Sequence, residues 1–194
     1  MKKVLYVNAC VTRAVPSRTN RLAQAYLEKR LAQADCSIES VVLEKIALSP
    51  LLGDGLATRE AAIAQGDFTG EAFDLARQFA TADEVVIAAP YWDMSFPVLL
   101  KLYVEQLCVN RLTFCYDETG RPQGLVKVKQ VVYVTTSGGY IGEGNFGFDY
   151  IKALFSKLFG VADFAFISAE GLDIYGNNPE QILRDAIEKV RCSI

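Results

Sequence analysis

The sequence predicts an α/β fold: a doubly wound, five-stranded parallel sheet in the order 2-1-3-4-5, with helices on both faces and residues 1–194 in a single domain. Three observations lead there. Strand-like and helix-like patterns alternate along the chain, as they do in successive βαβ units. Segments such as "DEVVIAA" are almost continuously apolar, the mark of strands covered on both faces. Five such strands suit the order 2-1-3-4-5 better than a six-stranded dinucleotide fold. A chain of 194 residues can bury a sizeable core, and no linker, repeat or low-complexity stretch divides it.

Each element has its own warrant. "KKVLYVNA" opens the chain as a strand, because its apolar run breaks at Asn8, too early for a secretory signal. "NRLAQAYLEKRLAQA" repeats apolar residues at helical spacing, with Asn20 as its cap. "SIESVVLE" is the second strand, and Lys45 to Phe68, punctuated by Pro50, Gly53 and Gly55, reads as irregular or partly helical. "TGEAFDLARQFATA" places Ala72, Leu75, Ala76 and Phe79 on one helical side before the third strand, "DEVVIAA". "PVLLKLYVEQLCVNR" is a helix with proline in its first turn, where the missing N–H costs nothing. "LTFCYDETGRPQGLV" alternates around "ETGRP" and predicts a hairpin. "KQVVYVTTS", the helix "FDYIKALFSKLFG" ended by Gly160, the strand "VADFAFISAEG" and the helix "NPEQILRDAIEKV", capped by Asn178, complete the series.

Composition removes several classes of function. The formal charge is −3 and no basic tract stands out, which argues against nucleic acid as a partner. No run approaches the length of a membrane span, so the protein is expected in the cytoplasm and off the membrane. Five cysteines without a C-x-x-C pair suggest neither disulfides nor a metal site, and read as free thiols. The chain has no histidine, which removes Ser-His and Cys-His pairs and His-ligated metals. A hydrolase on this fold would lack a nucleophile with a base beside it. A bound organic cofactor is the natural substitute.

Such a cofactor would sit beyond the carboxyl ends of the strands, where strands one and three diverge. Three loops leave that edge. "ACVTRAVPSRTN" lacks both G-x-G-x-x-G and the Walker pattern. It carries instead Cys10 at the end of strand one, then Ser17, Arg18 and Thr19 at a helix start whose free N–H groups suit one terminal phosphate. The same residues also suit plain helix capping. "PYWDMSFP" offers Pro90, Tyr91, Trp92, Asp93 and Met94, a flat apolar set that can border a planar ring, or equally plug a core or an interface. "TSGGYIGEGNFG" offers Thr136, Ser137, Gly138 and Gly139, where backbone can approach a ligand closely or simply move.

With these residues in view, the chain resembles the FMN-dependent NADH:quinone oxidoreductase and azoreductase family, of flavodoxin-like fold, along nearly its whole length. The likeness rests on "SRTN", "AAPYWDMSFPVLLK", "TSGG", "AEG" and above all Thr113, Phe114, Tyr116, Gly120, Gly124 and Leu125. It implies FMN as bound cofactor, NADH or NADPH as donor, a quinone or azo acceptor, two-electron ping-pong hydride transfer and a homodimer. It implies that Ser17, Arg18 and Thr19 hold the phosphate, that Pro90 to Met94 and Thr136 to Gly139 border the ring, and that Tyr116 covers its face or supplies a proton. Asp93 departs from the family's usual Asn, and a carboxylate there would lower the flavin potential. A flavodoxin-type FMN-binding electron carrier serving a protein partner is the competing reading.

Overall fold

The computed structural model describes residues 1–11, 15–33 and 35–192. Thr12 to Ala14 of the first loop, and Ala34, expected to end the first helix, lie outside the described residues.

The sheet is built from β1 (Lys2–Asn8), β2 (Cys36–Val42), β3 (Glu84–Ala88), β6 (Gln130–Thr136) and β7 (Asp163–Ala169), all parallel, in the order β2-β1-β3-β6-β7. The short strands β4 (Phe114–Tyr116) and β5 (Pro122–Gly124) pair with each other as a separate antiparallel hairpin. Five parallel strands are as expected. Their chain-order labels differ from 2-1-3-4-5 because the hairpin strands fall between the third and fourth members of the sheet.

Alternation along each strand feeds two cores. On β1, Leu5 and Val7 point to one face, and Val4 and Tyr6 to the other. The first face packs α3 (Asp74–Thr81), α4 (Val98–Leu107) and α5 (Phe148–Phe159) through Phe79, Leu100 and Phe155. The second packs α1 (Arg18–Gln33) and α6 (Pro179–Cys192) through Leu22 and Leu183. Each such side chain, fully buried, contributes roughly 1.5–3 kcal/mol. A third cluster, Phe73, Ala76 and Val109, receives Ala62 and Ile63 of α2 (Gly53–Gln65).

Several boundaries move. α1 begins at Arg18, because the Asn20 N–H bonds to Ser17 Oγ at 3.2 Å, making Ser17 the cap in place of Asn20. Asn20 instead accepts from Tyr6 Oη at 2.6 Å, tying α1 to β1. β2 stops at Val42 and a 3-10 turn takes Leu43–Lys45. A 3-10 turn at Glu71–Phe73 also precedes α3, and the "irregular" stretch holds the 13-residue α2. Pro97 stands just before α4, which ends at Leu107 rather than Arg111. The caps at Gly160 (φ 70) and Asn178 are as expected: the Gln181 N–H reaches Asn178 Oδ1 at 3.1 Å. The hairpin lies so close to the end of α5 that a Cβ on Gly124 would meet the Phe159 carbonyl oxygen at 2.0 Å. No helix among the described residues is long and apolar enough to cross a membrane.

Candidate functional site

A cavity of ≈ 600 Å³ opens at the carboxyl ends of β1, β3 and β6, where the chain direction across the sheet reverses. All three loops expected to meet do so. The first contributes Ser17, Arg18 and Thr19, the second Pro90, Tyr91 and Trp92, and the third Thr136, Ser137 and Gly138. The volume lies within the usual range for a small-molecule site.

The polar end is the start of α1. The N–H groups of Arg18 and Thr19 find no acceptor among the described residues, as the geometry of a first helical turn dictates. The macrodipole adds partial positive charge there. Ser17 Oγ already caps the helix. Thr19 is buried, and its hydroxyl meets Thr136 Oγ1 at 2.6 Å, so α1 is pinned to β6 while one of the two hydroxyl protons stays unused by that bond. Arg18 does not reach into open space: both its Nη atoms lie 3.0 Å from Asp173 Oδ1.

The apolar wall is a tight turn. Trp92 and Ser95 exchange backbone hydrogen bonds (Trp92 N–H to Ser95 O at 3.1 Å, Ser95 N–H to Trp92 O at 2.7 Å). Asp93 and Met94 between them both adopt left-handed backbone, φ 50 and 64. Asp tolerates that region, whereas methionine there is uncommon and strained. Their N–H groups have no acceptor among the described residues. Tyr91 is fixed from behind by its N–H bonding to Thr136 O at 3.0 Å.

The glycine loop is held by its carbonyls. Ser137, Gly138 and Gly139 O accept from the N–H groups of Leu172, Asp173 and Gly171 at 3.1, 2.9 and 3.0 Å. Glu170 accepts from the Ile141 N–H at 2.9 Å and from Ser168 Oγ at 2.7 Å. The N–H groups of Gly138 and Gly139 remain without acceptors among the described residues. A Cβ on Gly138 would stand 2.6 Å from Asp173 Oδ2, so any side chain here would have to push that carboxylate aside.

The remaining expected residues lie off the cavity wall. Asp93 and Met94 are exposed at the tip of the turn, and Gly139 is one residue beyond the lining. Cys10 is buried beneath, bordering a smaller space of ≈ 270 Å³. Burial pushes its thiol up from the ordinary cysteine value, which makes it a poor nucleophile. Tyr116 sits on the hairpin, 56% exposed and edge-on to Phe114, and does not line the cavity.

Sequence reasoning missed one wall altogether. Leu172, Asp173, Pro179 and Glu180, from the turn after β7 and the start of α6, close the cavity opposite Arg18 and Arg21. Arg21 forks onto Glu180, Nη1 and Nη2 each 2.9 Å from a carboxylate oxygen. That bond holds the Glu180 carboxyl below the usual carboxylate range. No group of three or more metal-ligating side chains occurs among the described residues.

A family model described as flavodoxin-like fold matches residues 2–193. The chain is 36% identical over 197 residues to FMN-dependent NADH:quinone oxidoreductase 2 of Clostridium acetobutylicum, covering 98% of this chain and 97% of that protein. It is 33% identical over 194 residues to the FMN-dependent NADH:quinone oxidoreductase of Clostridium beijerinckii, with coverage of 98% and 97%. Among solved structures, an azoreductase from Bacillus anthracis aligns with a TM-score of 0.83 at 24% identity, over 98% of this chain and 97% of that one. An FMN-dependent NADH-azoreductase of the same species, solved in complex with FMN, aligns at 0.78 and 23%, over 98% and 96%. At these identities the two structures speak to fold alone.

Proposed function

Because this chain belongs to the FMN-dependent NADH:quinone oxidoreductase and azoreductase family of flavodoxin-like fold, we propose that its cavity holds FMN and that the protein is an oxidoreductase passing two electrons from NADH to a quinone or azo acceptor. The observation that carries this reading is the pattern of open donors. Three loops with N–H groups that find no acceptor among the described residues meet at this end of the sheet: Arg18 and Thr19 on the cavity wall, Gly138 on the wall with Gly139 beside it, and Asp93 and Met94 at the exposed tip of the turn that follows Trp92. Two of those N–H pairs stand on residues lining the wall or next to it, and an aromatic pair, Tyr91 and Trp92, stands between them. A ligand with one phosphate and one planar, heteroatom-bearing ring matches that set.

When bound, FMN supplies the hydride chemistry that no side chain here can perform. The chain's own residues bind and orient. The first turn of α1 and the spare proton of the Thr19–Thr136 pair meet the phosphate. Tyr91 and Trp92 flank the ring, and the backbone of the Asp93–Met94 turn and of Gly138–Gly139 offers donors to its heteroatoms. Donor and acceptor then occupy one open place in turn, a ping-pong order. That order asks the protein for stacking and close approach rather than for an acid–base residue, in keeping with a chain that has no histidine. The homodimer belongs to the same proposal. Met94 at 54%, Tyr116 at 56% and Phe146 at 57% exposure are apolar surface that a second copy would cover. Tyr116 would then serve as a face-covering residue for the site of either subunit.

The test is an absorption spectrum after mixing with FMN and desalting, followed by anaerobic NADH. Retained flavin absorbance, quenched emission from Trp92, the one tryptophan, and bleaching by NADH reversed by a quinone are the expected results. A colourless protein after desalting overturns the reading. Sizing the active protein tests the dimer, and a fully active monomer overturns it.

A further inference from the structure

We propose that Gly147 is a positioning residue for the aromatic wall of the cavity. By keeping the space between the Tyr133 hydroxyl and the Ser95 carbonyl free of any side chain, it sets where the Trp92–Ser95 turn stands and so how tightly a planar ring is held. This role rests on the reading of the cavity as an FMN site and adds what fixes one of its walls from behind.

Gly147 ends the glycine-rich loop and stands just before α5, off the cavity wall. Its backbone, φ −74 and ψ −67, is open to any residue, so no conformational need selects glycine there. The need is for room. A Cβ at this position would stand 2.9 Å from Tyr133 Oη and 3.4 Å from both the carbonyl carbon and the carbonyl oxygen of Ser95. Ser95 exchanges two backbone hydrogen bonds with Trp92, which lines the cavity. A displacement of Ser95 is therefore passed on to Trp92.

Three elements meet at that point, and two of them are held. Tyr133 is buried, and its ring packs on Phe148 and Phe166, with centroids 5.9 and 6.3 Å away, which leaves its hydroxyl little room to swing. The start of α5 is anchored by the fully buried Ile151 and Phe155, and by Asn145, whose Oδ1 accepts from the Phe148 N–H at 3.0 Å. The turn is the least constrained of the three, with Asp93 and Met94 at an exposed tip in left-handed backbone. An added methyl therefore moves the turn. The Tyr133 hydroxyl has no hydrogen-bond partner among the described residues, a cost that phenylalanine would avoid. Removing that oxygen also opens the space a methyl on Gly147 would need.

The test compares wild type, Gly147→Ala, Tyr133→Phe and the double variant. Riboflavin and FMN affinities of the flavin-stripped proteins are read through Trp92 emission, and the amide NMR signals of Trp92 and Ser95 are read without flavin. Gly147→Ala is expected to move both amide signals. It should weaken riboflavin and FMN by the same factor, about tenfold, because the change lies at the ring and not at the phosphate end. Tyr133→Phe alone should bind like wild type and melt no lower. The double variant should recover riboflavin affinity to within about twofold of wild type. Glu84→Ala, a destabilising change at the far end of the sheet, controls for loss of stability alone and should leave riboflavin affinity unmoved. Amide signals or riboflavin affinity unmoved in Gly147→Ala, or a loss that Tyr133→Phe does not rescue, overturns the positioning role while leaving the FMN site standing. A Gly147→Ala chain that fails to fold also overturns it, since the methyl then disturbs more than the turn. Wild type that binds neither flavin overturns the reading of the cavity, and the positioning role with it.

Discussion

The two ends of the parallel sheet treat polar groups in opposite ways. At the amino end, Glu84 opens β3 with its carboxylate wholly buried, yet every lone pair has an answer. Arg30 Nε and Nη2 reach it at 3.2 and 2.8 Å, Tyr26 Oη at 2.9 Å and Lys2 Nζ at 3.4 Å. Burial, and then the Glu84 charge, push the Tyr26 hydroxyl well above its ordinary value, so it remains a donor. At the carboxyl end, N–H groups of six residues lack acceptors among the described residues, and two non-glycine residues sit in left-handed backbone. A buried charge must be saturated if the fold is to hold. Unsaturated donors and strain persist where the surrounding structure enforces them, and they tend to cluster at ligand sites, although Arg111, also left-handed, lies away from the cavity. Around Glu84 the amino end is saturated, whereas the carboxyl end keeps the open donors on which the proposed FMN site rests.

Four changes can break or sharpen that contrast. The largest effect belongs to the saturated end. Glu84→Ala strands Arg30 and Lys2 and should cost about 3 kcal/mol, lowering Tm by about 6–12 °C in a chain of this size. FMN affinity should not move; denaturant titration beside flavin titration reads both. Gly138→Ala should do the reverse. Its Cβ pushes the flexible, exposed Asp173 carboxylate rather than backbone, so stability shifts by under about 1 kcal/mol. The added methyl crowds the cavity wall, however, and FMN should bind about tenfold more weakly. If Gly138→Ala instead unfolds the chain and leaves affinity intact, the division between the two ends is wrong.

Met94→Gly removes a side chain from a left-handed position and should raise stability by about 1 kcal/mol, or Tm by about 2–4 °C, as thermal unfolding would show. A loss of stability would mean that the methionine packs against something, a second subunit first of all. Asp93→Asn should have the smallest effect. The carboxylate is exposed and off the cavity wall, so the midpoint potential of the bound flavin should rise by less than about 30 mV, the two-electron equivalent of a tenfold change in affinity. A larger shift in a redox titration would place that carboxylate against the ring.

Much of this was legible without coordinates, because the signals were local. Apolar runs and helical periodicity identified the strands and helices, since burial imposes its period on neighbouring residues. Gly160 and Asn178 announced their caps for the same reason. The three loops beyond the strands could be placed together, because a doubly wound sheet brings those strand ends to one edge whatever the side chains are. Ser17, Arg18, Thr19, Tyr91, Trp92 and Gly138 therefore came out on the cavity wall as expected.

What tertiary structure alone decided is pairing at a distance. That Thr19 spends its hydroxyl on Thr136, that Arg18 is held by Asp173 across 155 residues and Arg21 by Glu180 across 159, has no local signature. The same is true of Tyr116, whose aromatic neighbours in sequence gave no sign that the hairpin stands off the cavity. Periodicity reports which face of an element is buried, because burial acts on each residue separately. Which charge meets which depends on the register of two elements against each other, and only the packed fold sets that.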